Sequence, residues 1–146
     1  MTLAYCIELR GANYTGPNLG PSPPPDAIPS KGVMMSHMNH QPCVESCLRC
    51  AQECEHCAEA CLSEEDMAMM AECIRLDRDC AQICFLAAAF MSRGSQFAAE
   101  LCQLCASVCE VCGTECRRHR MDHCQRCADA CDACAEECRR MAGAGV

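Results

Sequence analysis

The chain predicts an all-α fold, an antiparallel up-down-up-down four-helix bundle with a thiol-lined core. Three observations carry that prediction. Nineteen of the twenty cysteines fall in four runs stepped almost entirely by three and four residues, the spacing of an inward stripe on a bundle helix. Turn and cap signals separate the runs. The connections they leave are short enough to force antiparallel neighbours.

The first 33 residues hold six of the seven prolines and four glycines, a composition that sustains no helix and predicts a loosely attached tail. The domain division read from this is a Pro/Gly-rich tail over 1–41, the bundle over 42–142 and a short C-terminal tail over 143–146. Met34 or Met35 would serve as an alternative start. The first helix is expected to begin near Pro42, which suits a first helical turn because its missing N–H has no intrahelical partner there. It carries Cys43, Cys47, Cys50, Cys54, Cys57 and Cys61, stepped 4, 3, 4, 3, 4, to about Leu62. Ser63 followed by Glu64, Glu65 and Asp66 reads as the cap and acidic first turn of the second helix. That helix carries Cys73, Cys80 and Cys84 to about Arg93, and Gly94 is a natural stop.

Ser95 is expected to cap the third helix, which carries Cys102, Cys105, Cys109, Cys112 and Cys116 and ends in Arg117, Arg118, His119 and Arg120. These arginines are read as partners of the helix dipole. The fourth runs from about Asp122 to Met141 with Cys124, Cys127, Cys131, Cys134 and Cys138, and the glycines of AGAG end it. Two ends of the bundle follow. One gathers Phe85, Leu86, Phe90, Phe97 and Leu101 and is expected to be an apolar plug. The other holds the first and third connections and brings together Cys61, Cys116, Cys124, His119, His123, Met121, Met67 and Met70.

Composition narrows the function. With 51% hydrophobic residues including 20 Cys, and only three Phe, two Tyr and no Trp, large apolar side chains cannot dominate the core. Without cysteine the hydrophobic share is about 37%, low for a packed domain. A net charge of −8 with no basic run among aromatics argues against nucleic acid as a partner. The longest apolar stretch, Ile83 to Met91, is too short to span a bilayer, so no membrane partner is expected. The N-terminus lacks a basic segment followed by an apolar one, and the expected location is the cytoplasm, where thiols stay reduced. No nucleophile–base pair, phosphate-binding glycine loop or open metal triad is present, and no enzyme is expected.

Three readings compete for a core of sulfur. Residues three or four apart on a helix have Cβ atoms about 5–6 Å apart, whereas a disulfide wants about 3.5–4.5 Å, so bridges along a stripe would be strained. Packing alone rarely asks for so many cysteines with no leucine or valine among the repeats. Metal ligation remains. Zinc favours closed four-ligand pockets and iron–sulfur clusters favour loop motifs, neither of which resembles a continuous helical ladder. Cu(I) is soft and prefers thiolate and thioether ligands. One Cu(I) per bridging thiolate also leaves the buried core nearly neutral, which avoids a large desolvation cost. Many equivalent sites describe storage. The rivals left open are a Zn/Cd-binding, metallothionein-like bundle and a non-metal bundle whose thiols serve redox or structural ends.

The ladders CVESCLRCAQECEHCAEAC, CQLCASVCEVCGTEC and CQRCADACDACAEEC resemble those of the bacterial copper storage proteins, over roughly Pro42 to Met141 and on the cytosolic side of that family. The resemblance implies a cysteine-lined four-helix bundle, many Cu(I) ions per chain, all nineteen bundle cysteines as ligands and a homotetramer. It also implies one open end lined by His or Met, which here falls on His119, His123, Met121 and Met67. At His119 and His123 a plain dipole contact weighs equally with a portal role. Met67 is expected to guide ions and Met70 to pack. Cys6 fits no repeat. His37, Met38 and His40 form a short His/Met tract whose place in a mobile tail argues against a dedicated site. His56, Glu53, Glu59, Glu136 and Glu137 are expected to face solvent.

Overall fold

A computed structural model describes residues 31–144, with side chains from His40 to Gly143. Four helices follow in chain order: α1 (Lys31–Cys61), α2 (Ala71–Ser92), α3 (Ala98–Cys116) and α4 (Asp122–Ala144). Each packs on its chain neighbours and α4 closes back on α1, which is the up-down-up-down square the thiol spacing predicts. No strand occurs among the described residues. None of their helices is long and apolar enough to cross a membrane.

The element boundaries correct several expectations. α1 starts at Lys31 and carries Pro42 inside it. An interior proline loses a hydrogen bond and costs about 3 kcal/mol. The helix continues because the packed stripe does: Cys43 and Val44, just after the proline, are both buried. The tail expected over 1–41 therefore gives way to helix from Lys31 onward, and residues 1–30, with Cys6, lie outside the described residues.

The second helix begins at Ala71 instead of Ser63, with no side-chain cap at Met70. Residues 63–70 form successive i→i+3 turns, Ser63 N–H to Ala60 O (3.0 Å) and Met70 N–H to Met67 O (3.1 Å) among them. The capping carboxylate is that of Asp66, which accepts the Met69 N–H at 3.2 Å.

Gly94 stops α2 as expected, at φ 63°. Its N–H reaches Met91 O (3.1 Å) while that of Ser95 reaches Phe90 O (3.0 Å). That pair of bonds is a Schellman motif, and only glycine takes the left-handed position without strain. Ser95 Oγ accepts the Phe97 N–H at 3.3 Å, so it orders the turn ahead of α3. α4 runs on to Ala144, past the predicted Met141, because Gly143 sits at an exposed end that nothing crowds.

The core is built from cysteine and alanine. Ala51, Ala58, Ala81, Ala87 and Ala128 are fully buried beside the thiols. Such small side chains let facing helices approach until sulfurs from opposite sides meet. Gly113 extends this on α3, where an added Cβ would stand 3.2 Å from the Cys131 Cβ of α4. Interhelix ion pairs clamp the outside: Arg78 with Glu55, Arg117 with Asp129 and Asp132, and Arg126 with Glu53. Exposed pairs of this kind add at most about 1 kcal/mol each.

The predicted phenylalanine plug is absent. Phe85, Leu86 and Phe97 are 45–58% exposed. Phe85 and Leu86 follow Cys84 by one and two residues, which turns them off the inward stripe. Phe90 and Leu101 only flank the core. The side chains that close this end are Met91 and Ala98, both buried.

Candidate metal centre

All nineteen bundle cysteines are buried, Cys43 at 3% exposure and the other eighteen at 0%. All nineteen are free thiols. Their sulfurs stand 3.5–4.0 Å from one another across and along the helices, far beyond a disulfide bond of about 2.05 Å. Three sulfurs around one soft ion at about 2.3 Å would lie about 4 Å apart, so the array already has the spacing of a shared-thiolate network.

From the α2–α3 end inward, Cys43 and Cys47 meet Cys138 at 3.7 and 3.6 Å, and Cys134 meets Cys47 at 3.6 Å. In the middle, Cys84 lies 3.6 Å from Cys105 and 3.7 Å from Cys109, while Cys80 lies 3.6 Å from Cys109. Cys50 reaches Cys131 at 3.7 Å, and Cys127 reaches Cys54 at 3.5 Å. Groups of four ligand atoms within 4.8 Å overlap: Cys50 and Cys80 belong to two such groups, and so do Cys54 and Cys131. Because members are shared, filling one group as a closed four-sulfur site strips its neighbour. The arrangement suits ions that bridge, not isolated tetrahedra.

At the end of the α1–α2 and α3–α4 connections, Cys57, Cys61, Cys124 and His123 form another such group. His123 Nε2 lies 3.5 Å from Cys61 Sγ and 3.7 Å from a Glu64 oxygen. Burial pushes the Cys61 thiol up to about 11 and raises Cys124 as well. A metal arriving here must displace protons that ordinary solution thiols hold less tightly. His119 is nearly buried and sits 3.3 Å from Glu115, on the last turn of α3. Met121 packs half-buried against the core, and Met70 is buried in it as expected. Met67 is 50% exposed in the connection, and no thiol contact joins it to the array. His56 faces solvent as expected.

Asp77 is the residue that sequence reasoning missed. It is fully buried on α2, and its Oδ1 accepts S–H bonds from Cys112 (3.2 Å), Cys116 (3.3 Å) and Cys127 (3.3 Å). Cys73 donates to Oδ2 at 3.7 Å. Desolvation, with the nearby Cys127 sulfur as second cause, raises its carboxyl to about 8. The signal was available: Asp77 stands four residues after Cys73 and three before Cys80, so it fills the rung that turns the run's step of seven into 4, 3, 4.

A family model described as copper storage protein matches residues 36–143. The Cu(I)-bound copper storage protein Csp3 of Bacillus subtilis is 51% identical and superposes with a TM-score of 0.68, covering 70% of this chain and 97% of that one. A cytosolic copper storage protein of Streptomyces lividans, studied with five coppers, is 41% identical at a TM-score of 0.72, over 77% of this chain and 98% of that one. The same Streptomyces protein loaded with 10 copper equivalents matches at 42% identity and a TM-score of 0.71, over 80% and 93%. No curated protein sequence matches significantly. With a family model spanning most of the chain and solved copper storage proteins superposing on it, this chain belongs to the copper storage protein family.

Proposed function

We propose that the chain stores Cu(I), many ions at a time, in the continuous thiol array of its bundle, with the nineteen cysteines from Cys43 to Cys138 as ligands. The observation that carries this is the overlap of four-ligand groups at sulfur separations of 3.5–4.0 Å. Each thiolate can serve two ions, and one positive ion per thiolate keeps the buried interior close to neutral. Metal binding displaces the thiol protons into solution, so loading weakens as pH falls, and burial that raises Cys61 and Cys124 adds to this at the connection end. The copper-binding unit is the bundle over 42–142.

Ions pass at the connection end, where His123 touches Cys61 and Glu64 lies beside it. His119 and Met121 stand near as further donors, and Met67 is a half-exposed soft donor in the α1–α2 connection at that end. The proposed setting is the cytoplasm, in keeping with the cytosolic description of the Streptomyces relative. The array has no catalytic role. Assembly is as a homotetramer, for which Leu48, Phe85, Leu86, Leu104 and Val111, all exposed, offer apolar contact surface.

Anaerobic titration of the reduced protein with Cu(I) against a chromophoric chelator tests the storage reading. A thiolate band in the near-ultraviolet that grows over many equivalents supports it. A preference for about four to five Zn(II) over Cu(I), with no such band, points instead to a zinc-filled bundle.

A further inference from the structure

Gly94 and Gly113 hold their places for different reasons. Gly94 takes the left-handed backbone at φ 63°. Gly113 lies inside α3, where no such backbone calls for glycine and where alanine would make the more stable helix. Packing shows what keeps a side chain out. Gly113 is buried against α4, and an added Cβ would meet the Cys131 Cβ at 3.2 Å, an Asp132 carboxylate oxygen at 3.3 Å and the Ala128 backbone oxygen at 3.5 Å. A Cβ and a backbone oxygen cannot rotate away, and the Asp132 carboxylate is held in its turn by Arg117 at the end of α3.

The cysteine on the other side of that contact is one the array shares widely. Cys131 Sγ lies 3.7 Å from Cys50 and 3.9 Å from Cys54 on α1, and 3.9 Å from Cys80 on α2. It belongs to two four-ligand groups, one with Cys50, Cys54 and Cys80, the other with Cys54, Cys112 and Cys127. The second group spans the α3–α4 seam, with Cys112 directly before Gly113 in the chain and Cys131 across from it. One sulfur can therefore serve ions in both groups only while α4 stands at this distance from α3.

We propose that Gly113 is a positioning residue of the copper array: its missing side chain sets the α3–α4 separation at which Cys131 is shared between two ligand groups. The inference rests on the Cu(I) reading above. Carbon atoms pack best at about 3.5–4.0 Å, so a methyl group on Gly113 moves α4 outward by a few tenths of an ångström. Metal–ligand distances tolerate only about 0.2 Å, and the shift is felt at the sulfur. Cys131 then serves one group at the expense of the other. The group of Cys57, Cys61 and Cys124 at the connection end does not include Cys131 and keeps its ions.

The test is a double-mutant cycle on the full reduced chain, read by anaerobic Cu(I) titration against a chromophoric chelator. Gly113→Ala should fold, because alanine is the better helix former, and far-ultraviolet circular dichroism checks this. It should hold its most weakly bound ions about tenfold less tightly than the parent, the usual scale for residues that orient metal ligands. Gly143→Ala, the same change at an exposed site with nothing within 4 Å, should bind as the parent does. With Cys131→Ser already in place, Gly113→Ala should cost nothing further; with Cys61→Ser in place it should cost its full amount. Parent-like binding by Gly113→Ala overturns the positioning role and leaves storage intact. An undiminished loss in the Cys131→Ser background also overturns it, since the glycine would then act on the bundle as a whole. A parent chain that develops no near-ultraviolet thiolate band overturns the storage reading and this inference with it.

Discussion

The two ends of the bundle close in chemically different ways. At the connection end, His119 and His123 sit among carboxylates, 3.3 Å from Glu115 and 3.7 Å from Glu64, and His123 touches the outermost thiol, Cys61. At the far end, Met91 is buried against Cys102, and a Schellman turn at Gly94 ties α2 to α3. Imidazoles set beside carboxylates and the outermost thiol suit the capture of an arriving ion. A buried thioether packed against a thiol closes the array there. The same asymmetry runs inward, since Asp77, the one fully buried carboxyl among the described residues, hydrogen-bonds only thiols of the connection-end half.

The largest expected effect concerns that carboxyl. Its folded value of about 8 lies above the ordinary 3.8. Folding therefore takes up a proton that the unfolded chain has released. This contribution to stability is complete below about pH 4 and is lost as pH rises toward 8, by several kcal/mol in all. Urea midpoints of the reduced apo protein should fall between pH 5 and pH 8, and Asp77→Asn should flatten that slope. An Asn variant with the parent's slope would assign the dependence elsewhere.

Next in size is the far end. Met91→Ala, which opens a cavity around a side chain only 1% exposed, should cost the apo fold about 2–5 kcal/mol. The rate of copper uptake should remain that of the parent. A slower rate would make the far end a portal and erase the distinction between the ends.

The mirror experiment removes His119 and His123 together. Transfer of Cu(I) from a chelator, followed by stopped flow, should slow by about tenfold, equivalent to roughly 1.4 kcal/mol of barrier, with final capacity unchanged. Unchanged kinetics would reduce both histidines to dipole and carboxylate partners. The smallest effect is expected at Met67, half exposed and outside the thiol contacts. Met67→Leu should alter uptake by less than about twofold, since a flexible outer thioether adds little to binding; a larger change would extend the portal outward into the α1–α2 connection.

What the sequence makes legible here is periodic, and what it hides is local. Steps of three and four placed every bundle cysteine inside, because a stripe repeated that often has no other consistent face. The same periodicity, applied to residues other than cysteine, would have placed Asp77 on a rung and Phe85 off one; attention to residue type concealed both. Pro42 was read as a helix start on the usual preference for the first turn. Packing at Cys43 and Val44 overrides that preference, and His40 is thereby carried from a presumed tail into the register of α1. The connection over 63–70 was beyond reach for another reason. Ser63 was read as the cap and Asp66 as a first-turn acid, and only the backbone turns show that the Asp66 carboxylate is the one that accepts an N–H.

The central claim is that the ladder itself is the store, and counting ions per chain tests it most directly. Native mass spectrometry of the reduced protein, loaded anaerobically with excess Cu(I) and then desalted, gives that count. The account predicts a population approaching one copper for each of the nineteen buried free thiols. Saturation at one or two ions would contradict it, because an array of shared, equivalent sulfurs has no reason to stop there.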